Sequence, residues 1–231
     1  MNIHFEKKRI LYAAVFPLLF ILLLWLIGLL QFGLNWDLSF LGIRPRELSG
    51  MPGIFFNCFV HSDFDHLWSN TVSSFVLMWF LFYFYHEIVW EALGGLWILT
   101  GMLLWLIGRF GIHVGASGLI YGLSFFLFFS GALRRDISLM AVSLVVAFLY
   151  GSIVWGMMPF VERIKPEMSW EGHLSGAVSG ALMSLLLRKK GPQKKESFED
   201  ENEEEDDEID PDNENENEKP YWIIPSDTPK L

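Results

Sequence analysis

Apolar runs near residues 10–31, 66–85, 89–108, 116–133, 137–158 and 173–187 are separated by short clusters of charged and turn-forming residues. At about 1.5 Å per helical residue, most of these runs suffice to cross a hydrocarbon core of roughly 30 Å. The pattern predicts an all-α polytopic membrane protein, a bundle of six transmembrane helices. The third run carries Glu91 near its start and is broken by glycines, and the sixth is short and rich in Gly, Ala and Ser, residues that let membrane helices approach closely. A soluble bundle of buried helices is the alternative, and the recurrence of uncharged runs through residues 10–187 tells against it.

The connection from Gly33 to Asp65 is long for a helical bundle and contains Trp36, Pro45, Pro52 and many aromatic residues without a full span. It is too apolar for a disordered linker, which predicts a loop partly inserted in the lipid. No internal repeat is visible, so the inverted-repeat architecture of many transporters gains no support.

Charge adds orientation. If the N-terminus is cytoplasmic, ten basic residues (Lys7, Lys8, Arg9, Arg134, Arg135, Arg188, Lys189, Lys190, Lys194, Lys195) lie inside and five (Arg44, Arg46, Arg109, Arg163, Lys165) outside. That bias and the even span count predict a multi-pass protein with both termini cytoplasmic, and the expected location is a bacterial inner membrane. The first apolar run follows a basic start but has no A-x-A cleavage pattern, so it reads as a retained signal anchor. The formal net charge of −10 arises mainly from Glu196 to Glu218, a run too polar to build a core. The expected organisation is a cytoplasmic N-terminus over 1–9, a six-span domain over 10–190 and an acidic, disordered tail over 191–231 that ends near a Tyr221 to Ile224 patch. The single cysteine, Cys58, excludes an intrachain disulfide and a cysteine-based metal site. The expected surroundings are lipid, with no nucleic acid partner.

Polar side chains at membrane depth are costly, so His66, Asn70, Ser117 and His173 each require a partner or a task. Depth can be counted from the cytoplasmic end of each span. Asn70 lies sixteen residues from His86, Ser117 seventeen from Arg134 and His173 fifteen from Arg188, or roughly 24, 26 and 22 Å. These three residues are therefore predicted at one height, below the outer surface, with His66 one turn above Asn70 on the same helix face.

Ser117 sits in Gly115-Ala116-Ser117-Gly118, where a span starts directly after a loop. Unpaired N–H groups and the positive end of the helix dipole favour a developing oxyanion there, although a plain N-cap serine would fit the same position. His173 begins the last span, with Gly176 and Gly180 spaced to face Gly118 and Gly122. Facing glycine ridges would bring Ser117 opposite His173, the contact that an activated serine needs. Alone, His173 could equally be a proton relay, a structural donor or a metal ligand. A zinc site drawn from His66, His173 and Asp65 or Glu171 lacks H-x-x-x-H or H-E-x-x-H spacing, so no metal and no cofactor are expected.

Taken together these motifs resemble the rhomboid family of intramembrane serine proteases over roughly residues 10–188. The family carries G-x-S-G at the start of its fourth helix, matched by Gly115 to Gly118, and a histidine followed by small residues on its sixth, matched by His173, Gly176 and Gly180. The H-x-x-x-x-H-x-x-x-N pattern of its second helix is matched by His61, His66 and Asn70. The resemblance implies a six-helix rhomboid fold, Ser117 as nucleophile, His173 as base, and an oxyanion hole from His66, Asn70 and the Ser117 N–H. It also implies that Tyr121 packs on the histidine, that there is no triad acid, and that the substrates are transmembrane segments of membrane-anchored proteins. The first long loop departs from many members in lacking a Trp-Arg pair; Arg44 and Arg46 flank Pro45 instead. Two rivals are a catalytically dead relative that binds transmembrane helices, which the intact Ser117 and His173 oppose, and a histidine-based proton transporter, which does not require Ser117.

Overall fold

The computed structural model describes residues 3–160 and 168–193. Contacts divide the chain into Met1–Lys194 and Lys195–Leu231, and every described residue belongs to the first unit. The acidic run, the Tyr221 to Ile224 patch, Arg163 and Lys165 lie outside the described residues.

The described residues form an all-α bundle with six long helices and one short one: α1 (Ile3–Gly28), α2 (Gly53–Phe56), α3 (Phe64–Phe84), α4 (Val89–Ile107), α5 (Ser117–Arg134), α6 (Ile137–Tyr150) and α7 (Trp170–Leu186). Five stretches are long and apolar enough to cross a membrane: Glu6–Gly33, Phe64–Phe84, Val89–Ile107, Ser117–Arg134 and Ile137–Met157. Many outward-facing side chains on them, such as Leu11, Leu22, Val72, Leu144 and Phe148, are exposed apolar groups, as lipid requires. The protein is thus an integral, multi-pass membrane protein. The sixth long helix, α7, has only 17 residues, or about 26 Å. It packs against α4 and α5, and its small residues spend their length on helix contacts rather than on lipid.

Several boundaries differ from the sequence expectation for identifiable reasons. The first helix starts well before residue 10, because Glu6 and Arg9 are tied to α3: Tyr83 Oη donates to Glu6 Oε2 at 3.0 Å and Arg9 donates to the Tyr83 carbonyl at 2.9 Å. It ends in a π-helical turn, Leu29–Gly33, a distortion often found beside functional sites. This turn presents Gln31 to the backbone of His61, donating to its carbonyl at 2.6 Å and accepting its N–H at 3.3 Å. The fifth span is α-helical only to Tyr150 and continues as a tighter 3₁₀ segment, Gly151–Met157. The last helix starts three residues ahead of His173, because the Ser169 hydroxyl caps it by accepting the Gly172 N–H at 3.1 Å.

The long first loop is built from short helical pieces, including α2, and its apolar stretch Leu48–Phe59 leaves Leu48, Met51, Phe55 and Phe56 exposed. Arg46 anchors it. The guanidinium donates to the Leu106 and Gly108 carbonyls at 3.1 and 2.8 Å and lies 5.1 Å from the Phe110 ring centroid, satisfying carbonyls that the end of α4 would otherwise leave unpaired.

The core centres on α5. Leu123, Phe126 and Leu127 have no exposed surface, and they pack with Leu77 and Leu81 of α3 and Leu96 of α4. The α5–α7 contact is the most extensive between helices. A Cβ on Gly176 would overlap the Gly118 carbonyl oxygen, and one on Gly180 the Gly122 carbonyl oxygen, so the backbones touch along these ridges. At the far end of α5, Arg134 donates to the Leu187, Lys190 and Pro192 carbonyls at 2.6 to 2.7 Å and closes the end of α7.

Candidate active site

The chain approaches Ser117 through a turn that only glycine readily makes: Gly115 has φ +111°. A Cβ at that position would also run into the His66 imidazole. Three tethers hold the turn. Ile43 and His113 exchange backbone hydrogen bonds at 2.9 Å, and the Gly115 N–H donates to the Asn57 carbonyl at 2.9 Å. His113 supplies the third. Its Nε2 faces the Arg109 carbonyl at 3.0 Å, which can only accept and so takes a hydrogen from that nitrogen, and its Nδ1 lies 2.6 Å from the Ser169 hydroxyl. Ser169 is the cap of α7, so the loop that carries Ser117 is fastened to the helix that carries His173. Beside it, Glu171 is buried and accepts the Arg109 N–H at 3.3 Å.

Ser117 is the first residue of α5. The N-cap is Ala116, which makes no side-chain cap bond, so the plain N-cap explanation for Ser117 does not describe this helix. Instead Ser117 Oγ lies 3.0 Å from His173 Nε2. His173 is 6% exposed, and its Nδ1 faces the Gly156 carbonyl at 2.8 Å. Because a carbonyl only accepts, Nδ1 carries the hydrogen and Nε2 of the neutral ring is left as an acceptor for the Ser117 hydroxyl. That tautomer is the one a general base requires.

Tyr121, one turn into α5, stacks on the His173 ring with centroids 4.2 Å apart, and its hydroxyl donates to the Ile153 carbonyl at 2.7 Å. The 3₁₀ segment therefore fixes the histidine through Gly156 and the tyrosine through Ile153.

On α3, Asp63 caps the helix by accepting the His66 N–H at 2.7 Å. His66 is half-buried with its ring against Gly115, and Asn70, one turn on, is 4% exposed with an amide nitrogen that has no hydrogen-bond partner among the described residues. A buried amide donor without an acceptor is costly at rest. His61 is buried just before α3 and packs edge-on to His66 with centroids 5.1 Å apart. Desolvation, with the nearby His66 second, pushes its imidazole down to about 4, so it is neutral. Among the described residues no three His, Cys, Asp or Glu side chains are grouped so as to hold a metal ion.

The residues expected to build the site fall in two places: His61, His66 and Asn70 around the start of α3, with Gly115 against His66, and Ser117, Gly118, Tyr121, His173, Gly176 and Gly180 along α5 and α7. Four that matter to the geometry were not among them: Gly156, Ile153, His113 and Ser169. The first two act through carbonyls, which leave no side-chain signature. His113, a histidine in the short loop just before the Gly115 turn, was the one available signal.

The family model described as "Rhomboid domain" matches residues 49–190. Uncharacterized proteins from Mycobacterium tuberculosis and Mycobacterium bovis are each 38% identical over 198 residues, covering 82% of this chain and 80% of the relative. One from Mycobacterium leprae is 33% identical over 207 residues, covering 82% of this chain and 76% of its own length.

Proposed function

Since the chain belongs to the rhomboid family, whose members are generally intramembrane serine proteases, we propose that it cleaves peptide bonds in or beside transmembrane segments, with Ser117 as nucleophile and His173 as its base. The observation that carries this reading is the pair of contacts on one imidazole: Nδ1 on the Gly156 carbonyl and Nε2 on Ser117 Oγ.

The steps follow from that pair. Ser117 Oγ attacks the scissile carbonyl carbon as its proton passes to His173 Nε2. The resulting imidazolium keeps its Nδ1–H on Gly156, so a backbone carbonyl does the orienting that a carboxylate does in triads, without a buried charge. The tetrahedral oxyanion is held by the Asn70 amide, the His66 ring and the Ser117 N–H, which at the first position of α5 has no intrahelical acceptor. Asn70 then gains the acceptor it lacks at rest, so its donor is stronger in the transition state than in the ground state. His173 returns the proton to the leaving amine, the acyl bond to Ser117 is hydrolysed by a water that His173 deprotonates, and the serine is regenerated. A transmembrane helix must unwind locally to be cut, since an intact one engages its carbonyls in hydrogen bonds.

The test is labelling of the detergent-purified protein with a serine-directed fluorophosphonate. The wild type should label, and Ser117→Ala and His173→Ala should not. Equal labelling of wild type and Ser117→Ala would remove Ser117 from the role.

A further inference from the structure

Ser62 and Asp63, which the mechanism above does not use, sit on the outer side of His66. Ser62 Oγ lies 2.8 Å from Asp63 Oδ2 and 3.1 Å from His66 Nδ1, while Asp63 Oδ1 accepts the His66 backbone N–H at 2.7 Å. A hydroxyl has one proton to give. The His66 N–H and then the Ser62 hydroxyl hold the Asp63 carboxyl below its ordinary range, so at neutral pH it is a carboxylate and can only accept. The Ser62 proton is therefore directed to Asp63, and what remains for His66 is an oxygen lone pair. His66 Nδ1 must carry a hydrogen to use it.

In a neutral ring this leaves Nε2 bare, and Nε2 is the edge turned toward the Ser117 loop: a Cβ on Gly115 would stand 2.8 Å from it. A bare nitrogen repels an oxyanion. We propose that Ser62 and Asp63 are positioning residues that commit His66 to protonation at Nδ1, so that His66 serves the oxyanion only as an imidazolium whose charge Asp63 balances through the Ser62 hydroxyl. The proposal rests on the protease reading above. Three titratable groups act on His66: Asp63 at the start of its own helix, neutral His61 from the preceding loop, and His173 from α7. The proton on Nε2 comes from water before attack and stays on His66 through the cycle, so the reaction's own proton balance is unchanged. The competent form has His173 neutral and His66 charged, and turnover falls as pH rises and His66 loses its Nε2 proton.

Asp63→Asn separates this from a merely structural role. Asparagine caps a helix as well as aspartate does, and capping points its oxygen at the His66 N–H, which leaves its NH₂ facing Ser62. The NH₂ donates to Ser62 Oγ, the Ser62 hydroxyl turns to His66 Nδ1, and a neutral His66 then carries its hydrogen on Nε2.

The experiment is long-range ¹H–¹⁵N NMR of the full chain, ¹⁵N-labelled at histidine, in detergent micelles under alkaline conditions, with His66 assigned from its loss in His66→Asn. The pH dependence of kcat on a transmembrane substrate is measured alongside. In the wild type, neutral His66 should carry hydrogen on Nδ1, and the alkaline limb of kcat should approach about tenfold per pH unit. In Asp63→Asn the hydrogen should move to Nε2 and the limb should vanish. Ser62→Ala, at an exposed side chain, should also lose the exclusive Nδ1 form. An Nε2 hydrogen in the neutral wild-type ring, or a tautomer unchanged in both variants, overturns the proposal. If the tautomers behave as stated but the wild type cleaves nothing, the protease reading fails and the control of His66 stands; if Ser117-dependent cleavage persists with the wrong tautomer, only this proposal falls.

Discussion

The ring of Tyr121 lies flat on that of His173, with centroids 4.2 Å apart and planes 5° from parallel. The stack limits the imidazole to rotation in its own plane, and the Gly156 carbonyl on Nδ1 stops that rotation. The Ser117 to His173 contact is therefore held by two restraints that are both positioned by the segment after α6. Tyr121→Phe keeps the stack and loses only the bond to the Ile153 carbonyl, so kcat should fall about tenfold or less. Tyr121→Ala loses both, and if His173 is the proposed base its displacement by about 1 Å should cost roughly 10². Turnover of a transmembrane substrate in proteoliposomes checks the order; equal effects of the two variants would mean that the stack does not position the base.

The residues of the site should grade by role. Ser117→Ala should abolish cleavage, and His173→Ala should be nearly as severe. On the proposed mechanism Asn70→Ala removes one oxyanion donor among three, so kcat should drop about 10² to 10³, or roughly 3 to 4 kcal/mol, with KM little changed. Wild-type rates in Ser117→Ala would sink the assignment, whereas an unaffected Asn70→Ala would return only that residue to helix packing.

Glycine substitutions should rank by what their Cβ meets. At Gly176 it overlaps the Gly118 carbonyl, at Gly118 it comes within 3.1 Å of Thr100 Cγ2, and at Gly94 it meets nothing within 4 Å. Gly176→Ala should destabilise by about 1 to 3 kcal/mol and reduce activity by parting α5 from α7, Gly118→Ala less, and Gly94→Ala hardly at all. Unfolding in detergent measures this order. A fully stable and active Gly176→Ala would show that these helices can separate without loss.

Orientation is open to a direct check. The ten-to-five bias of basic residues predicts both termini in the cytoplasm. A C-terminal alkaline phosphatase fusion should be inactive and the corresponding green fluorescent fusion bright; an active phosphatase would reverse the orientation or change the span count.

The all-α bundle was readable in the sequence because lipid tolerates few solutions: uncharged runs of sufficient length must become helices that satisfy their own backbones. The least regular expected span, Val89–Ile107, is a full helix all the same. The pairing of Ser117 with His173 was approachable for a related reason, since a constant rise per residue turns residue counts into an expected common height, and the two side chains lie 3.0 Å apart. Segment ends were less legible. Asp63 and Ser169 cap α3 and α7 ahead of the first apolar residues, and polar caps lie outside the hydrophobic pattern.

By itself the sequence determined the class of protein and the family its motifs resemble, because hydropathy and motif spacing are local properties. Only the tertiary structure decided which proton sits where. The hydrogen on His173 Nδ1 is set by the carbonyl of Gly156, 17 residues away in the chain, and the anchoring of the Ser117 loop by a His113 to Ser169 bond across 56. Every residue carries the same backbone acceptor, so no sequence pattern can mark the one that is used; folding chooses it by bringing it within reach.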